Sequence, residues 1–184
     1  MTAQNRLMIM AFAFLAIQAC SPYKSSTYHP RSEPVRNTGN KNPGPSGPGY
    51  NPGVSQIRTE IADYGQKFVG VNYKYGGQSP GTGFDCSGFT SYVLKGFGYT
   101  ISPASAVQAT TGDEVSLSRV QPGDLLFFGS SRKKIQHVAL IVKRTDDGIV
   151  CVHSTTSRGV IVENVSQSSY WKPKILFARS VVKK

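Results

Sequence analysis

The spacing of apolar positions changes period once along residues 54–184. Ile57, Ile61, Tyr64 and Phe68 recur at three- and four-residue intervals, which predicts an amphipathic helix reaching Gly70. "VNYKYGG" (71–77) follows as a short strand or extended segment broken by its double glycine. Phe89, Tyr92, Val93 and Phe97 form a second helical stripe, opening at Asp85 and stopping at Gly96 or Gly98. "SPASAVQATTGDEV" (102–115) reads as a short helix ended by Gly112. Beyond Pro122-Gly123 the pattern turns to strands over residues 124–128, 137–142, 149–154, 159–165 and 174–182, with Asp146-Asp147-Gly148 as a hairpin turn. Helices followed by a meander of strands predict an α+β domain, its N-terminal helices packed on one face of an antiparallel sheet.

The first 53 residues have a different character. Arg6 precedes eleven apolar residues, 7–17, too few to cross a bilayer and of the length of a signal-peptide core. Gln18-Ala19-Cys20 then resembles a bacterial lipobox, which predicts a signal peptide over 1–19 and a lipidated Cys20 at the mature N-terminus. An ordinary cleaved signal with an incidental cysteine is the alternative. Residues 21–53 hold seven prolines and five glycines and almost nothing aliphatic. They cannot bury enough apolar surface to offset chain entropy, so 20–53 is expected to be a flexible tether with a reach of roughly 30 Å. The expected setting is the bacterial cell envelope, the domain of residues 54–184 facing the periplasm on an anchor in the outer membrane.

Charge adds a partner class. The net charge is +11, and residues 54–184 alone carry sixteen Lys/Arg against nine Asp/Glu, or +7. This balance suits an anionic polymer or lipid, or else is a solvated surface. No nucleic-acid module, zinc spacing or phosphate loop is visible, so no nucleic-acid partner is expected.

Cys86 opens the second helix. The partial positive charge of a helix N-terminus favours thiolate, and its free N–H groups can hold an oxyanion, with the N–H of Cys86 as one donor. His137 opens the central apolar strand and shares a face with Ala139 and Ile141, expected to turn toward the helices. His153, on the next strand, can meet His137 across the hairpin and accept a hydrogen bond from it while neutral, an arrangement expected to weaken below about pH 6.5. Cys86 is then the nucleophile, His137 the base and later the acid, and His153 the orienter. Taken singly, a cysteine at a helix start is more often a buried small residue and a strand histidine more often a satisfied core group. Cys151 reads as a buried free thiol, the alternative being a disulfide to Cys86 that would abolish the nucleophile. No metal is expected, because no carboxylate cluster accompanies the histidines.

The local contexts of these residues carry a resemblance. "YKYGG", "DCSGF", "QPGDLLFF", "HVALIV" and "VHSTTSRGVI" stand in the order and spacing of the NlpC/p60 family of cell-wall cysteine peptidases. "STTSRGVI", "YWK" and the tethered layout are most similar to its lipoprotein murein endopeptidase branch. The resemblance implies a papain-like fold and a Cys-His-His triad, carried over to Cys86, His137 and His153. It implies an active-site tyrosine and possible oxyanion donor at Tyr73, with Tyr75 structural, and contacts from Asp85 and Ser87 to a free peptide amine. Asp85 and Ser87 equally suit helix capping. Where many relatives carry an arginine this chain has Pro103, which leaves stem-peptide specificity open. The implied substrate is peptidoglycan, cut at the D-alanyl–diaminopimelate or the γ-D-glutamyl–diaminopimelate amide, by a monomer without cofactor and with room for a regulatory protein partner. A non-catalytic wall-binding scaffold and an amide or acyl transferase are the other readings.

Overall fold

The computed structural model describes residues 53–183. The signal segment, Cys20 and nearly all of the tether lie outside the described residues. Helix α1 (Val54–Gln66) lays Ile61, Ala62 and Gly65 against the sheet, and turns carry the chain on to Gly70. A Cβ at Gly65 would sit 3.0 Å from a Leu140 methyl and 3.2 Å from a Val152 methyl, so the helix rests directly on two strands. A two-stranded hairpin of β1 (Gln78–Ser79) and β2 (Gly83–Phe84) follows, then α2 (Cys86–Lys95) and the single turn α3 (Ser105–Gln108).

The main sheet comprises β3 (Asp113–Val115), β4 (Leu125–Ser131), β5 (Lys134–Thr145), β6 (Gly148–Thr155), β7 (Gly159–Asn164) and β8 (Ile175–Ser180). Its order is β3-β8-β4-β5-β6-β7, with every neighbouring pair antiparallel. Strands four to seven form the meander, and β8 returns to lie between β4 and β3. The hairpin turn stands where the sequence puts it: Thr145 pairs with Gly148 around Asp146-Asp147, and Gly148 takes a φ of 128°.

Both faces of this sheet are buried. Leu125, Phe127, Val138, Leu140 and Val152 face α1 and α2 together with Phe84, Phe89 and Val93. Leu126, Phe128, Ala139, Ile141 and Cys151 face the opposite way, beneath Val120, Val165 and Trp171. Burial on both faces explains why "DLLFF" and "HVALIV" read as continuous apolar runs rather than alternating ones. It also corrects one expectation. The face shared by His137, Ala139 and Ile141 turns away from the helices, because Val138 and Leu140 take the helix side.

Three short elements depart from the sequence pattern. "VNYKYGG" contributes only an isolated parallel bridge, Tyr73 to Phe84, rather than a strand. The β1–β2 hairpin and β3 are two or three residues long and carry no apolar period to reveal them.

A buried arginine ties the ends of the domain together. Arg58 on α1 donates to Asp124 Oδ1 (2.7 Å), Ser180 Oγ (2.6 Å) and the Val182 carbonyl (2.8 Å). Removing one partner of a buried ion pair strands the other charge. Arg58→Ala is therefore expected to lower unfolding free energy by about 3–5 kcal/mol in denaturant titrations.

Candidate active site

Glycines bring the loop before α2 close to the helix. A Cβ on Gly88 would collide with the Gly77 carbonyl oxygen, and one on Gly77 with the Gly83 carbonyl, so neither position tolerates a side chain. Asp85 fastens the contact. Its Oδ1 accepts the Gly88 N–H (2.6 Å) as the N-cap of α2, and its Oδ2 accepts the Gly76 N–H (2.9 Å). Ser87 donates to Asp85 Oδ1 or to the Pro103 carbonyl (2.8 Å), and buried Gln108 donates to the Ser87 and Ser102 carbonyls. Asp85 thus caps the helix beside Cys86, whereas Ser87, within its first turn, caps no N–H and instead ties Asp85 to the Pro103 carbonyl.

The sheet opens at this corner. The β5–β6 ladder runs from Thr145↔Gly148 to Leu140↔Val152 and stops there. Beyond it β5 stays with β4, and β6 stays with β7. The Ile141 N–H points to the β4 side, so by strand alternation the Val138 N–H points to the side β6 has left, and it bonds Cys86 instead. Ser154 Oγ, on the parted end of β6, donates to the Phe84 carbonyl (2.8 Å) two residues before the cysteine.

Tyr73, Cys86, Phe128, His137, Ser154–Arg158, Tyr170, Trp171 and Lys174 line one open cleft of about 560 Å³. The structure brings Cys86, His137 and Tyr73 to its wall, with Cys86 half-buried and His137 8% exposed. His153 is fully buried behind them, its Nδ1 2.8 Å from His137 Nε2 and its Nε2 2.9 Å from Glu163 Oε1. Trp171 stacks on His137 at a centroid distance of 4.5 Å, holding the ring from the side. Tyr75 is 89% exposed, so the structural role expected for it is not what the fold gives it. Cys151 is a buried free thiol, as is the half-buried Cys86, and no disulfide joins them.

Burial governs the ionisation of the site. It pushes the Cys86 thiol above its ordinary value, and the Asp85 charge adds to this. Hydrogen bonds from the Val138, Ser87 and Cys86 N–H groups offset only part of the rise. The sequence expectation of a thiol lowered by the helix terminus is therefore overturned, because desolvation outweighs the N–H groups. His137 lies well below its ordinary 6.5, through burial and then the neighbouring His153. Burial lowers His153 to about 4 against the upward pull of Glu163. Burial likewise raises Tyr73, and burial raises Cys151 strongly. The resting site is thus a neutral thiol beside neutral imidazoles, and the histidine pair persists well below the pH 6.5 expected from sequence. Among the described residues, no group of three His, Cys, Asp or Glu side chains gathers to hold a metal ion.

Glu163 and Trp171 were not among the sequence candidates for the site. Glu163 is the one charged position in the strand run "GVIVENV", and nothing in its spacing links it to the histidines. Trp171 was visible only as part of "YWK".

The profile of the NlpC/P60 family matches residues 70–180. Gamma-DL-glutamyl hydrolase of Bacillus subtilis (strain 168) is 37% identical over 124 residues, 66% of this chain and 29% of that one. The chain therefore spans under a third of that curated relative's length. The crystal structure of an NlpC/P60 family protein from Bacillus cereus ATCC 10987 superposes with a TM-score of 0.61 at 29% identity, covering 68% of this chain and 40% of that one. The NlpC/p60 domain of the peptidoglycan hydrolase SagA gives a TM-score of 0.56 at 34% identity, covering 67% of this chain and 97% of that one.

Two histidines with depressed folded values give stability a pH signature. Between 6.5 and about 4 the unfolded chain holds more protons than the folded one, so stability is complete above 6.5 and is lost as pH falls. Denaturant titrations are expected to show a loss on the order of 2–3 kcal/mol between pH 7 and 4.5 from His153 alone, to which His137 adds in the same direction. His153→Gln should flatten that slope.

Proposed function

The chain belongs to the NlpC/P60 family, and from that premise we propose that it is a cysteine peptidase hydrolysing amide bonds in the peptide part of peptidoglycan. The observation that carries the reading is the convergence of Cys86 and His137 on one open cleft, with His153 bonded behind His137. Among the described residues, the charged side chains lining that cleft are Arg158 and Lys174, with no carboxylate. Such a wall suits stem peptides, which carry free carboxylates. The name of the Bacillus subtilis relative points to a γ-glutamyl amide, so of the two candidate bonds we take the γ-D-glutamyl to diaminopimelate amide as the first expectation and the D-alanyl crosslink as the second.

In the reaction proposed, His137 takes the Cys86 proton as the sulfur attacks the substrate carbonyl. Because thiol and imidazole start neutral, proton transfer accompanies attack rather than preceding it. The oxyanion is held by backbone N–H groups at the start of α2 and by the Tyr73 hydroxyl. His137 then gives its proton to the leaving amine, and water hydrolyses the thioester, returning the thiol. Asp85, placed beside the nucleophile, is proposed to meet the peptide's free amine with the Ser87 hydroxyl. The anchor proposed at Cys20 and the tether behind it would hold this domain within reach of the wall from the membrane.

Mass spectrometry of muropeptides tests the reading, using purified peptidoglycan incubated with the protein or with Cys86→Ala. New stems ending at D-glutamate are expected with the intact thiol, and loss of crosslinked dimers alone would move the cut to the D-alanyl bond. Cys86→Ala is expected to reduce turnover by about 10³-fold or more, as removal of a nucleophile does elsewhere. Unchanged muropeptides with the folded, reduced protein would contradict the assignment.

A further inference from the structure

Behind the histidines, Glu163 Oε1 accepts from three directions. His153 Nε2 lies at 2.9 Å, Arg158 Nη2 at 2.8 Å and the Trp171 indole Nε1 at 3.0 Å. Guanidinium and indole can only donate, so this oxygen must present lone pairs and cannot carry a proton. A ring nitrogen facing it at 2.9 Å must then be an N–H. A neutral imidazole has one N–H, so His153 Nδ1 carries a lone pair. His137 Nε2, 2.8 Å from that lone pair, must in turn be an N–H. The order of donors leaves His137 Nδ1 bare.

We infer that Glu163 is a positioning residue of this site, its carboxylate fixing His153, and through it His137, in the tautomers that leave His137 Nδ1 free to take the Cys86 proton. The inference rests on the peptidase reading for its functional meaning, while the tautomer chain stands on hydrogen bonding alone. Trp171 adds a second link, since the indole that donates to Glu163 also stacks on His137. Arg158 connects the array to the cleft, because the side chain that pairs with Glu163 also lines the cleft wall.

The charge of Glu163 acts in the same direction as its hydrogen bond. When His137 takes a proton it becomes an imidazolium with N–H groups on both sides, and a carboxylate one ring away stabilises that charge. The ionisable groups around the histidine pair are Cys86 and Asp85 at the start of α2, Tyr73 and Tyr170 on the cleft wall, Arg158 in the β6–β7 turn, Glu163 on β7, Cys151 on β6 and Lys174 beside Trp171. Of these, Glu163 is the carboxylate bonded to the pair.

Glu163→Gln keeps the shape and an acceptor oxygen but loses the charge. Glu163→Leu loses both and frees His153 to turn its N–H toward His137. Both variants should be compared with the full-length protein by turnover of soluble muropeptides, and by alkylation of Cys86 with iodoacetamide from pH 4 to 8, read by peptide mapping. For Glu163→Gln, kcat is expected to fall roughly 10–100-fold, as on losing an outer partner of a working imidazole. KM should stay within about threefold, since Glu163 is absent from the cleft wall. Glu163→Leu should fall further, toward the roughly 10⁴-fold loss that a wrong tautomer causes in serine proteases. The acid limb of both profiles should move to lower pH in Glu163→Gln, because the charge favouring a protonated pair is gone.

Wild-type kcat and alkylation profiles in both variants would overturn the inference. So would losses that track folded fraction alone, with the pH profile unmoved. If the unaltered protein cleaves no muropeptide but the variants still change Cys86 alkylation as stated, the peptidase reading fails and the role of Glu163 survives.

Discussion

The 2.8 Å hydrogen bond between His137 and His153 spans the point where β5 and β6 cease to pair, and the cleft depends on that parting. Had the ladder continued, the Val138 N–H would have met β6, and the thiol would have kept only the N–H groups at the start of its own helix. With the strands parted, the helix face contributes Cys86 and the opposite face contributes His137, and the two meet on one cleft wall with His153 buried behind. The parted end of β6 is not left loose, because Ser154 bonds Phe84 and Thr155 pairs with Gly159.

Burial is the second constraint, and it sets the character of the thiol. Desolvation raises Cys86 and lowers both histidines, so the site rests uncharged. A thiol held largely protonated is a poorer target for oxidation and exchange, because those reactions proceed through the thiolate. That is a physical protection against oxidation and disulfide exchange. Cys86 is protected by the same desolvation that leaves its activation to a neighbouring base. Cys151, fully buried and raised further, is protected more completely.

Much of this was legible in the sequence. The stripe Phe89, Val93 and the aspartate before Cys86 located α2, and the apolar runs located the central strands, because burial on both faces writes itself as continuous hydrophobicity. That same double burial hid the direction in which His137 points, since both faces of β5 are apolar and alternation alone could not say which meets the helices. Gly77 and Gly88 were visible as glycines, but the reason for them, the approach of two backbones, exists only in three dimensions. Glu163 was illegible for a similar reason. Its partners are 5, 8 and 10 residues away, joined to it by strand register and by the fold of the segment after β7. The thiol was misjudged because a helix terminus can be read from sequence, while the depth at which it is buried cannot.

The account stands on a directional chain from Glu163 through two neutral imidazoles to a bare ring nitrogen of His137, which shares the cleft wall with the thiol. Nitrogen-15 NMR of the histidine-labelled full-length protein at pH 7 reads that chain directly, with the two rings assigned by comparison with His137→Gln and His153→Gln. The account predicts that His137 and His153 are both neutral, each carrying its proton on Nε2 and a lone pair on Nδ1. A proton on His137 Nδ1, or either ring doubly protonated at that pH, would contradict it.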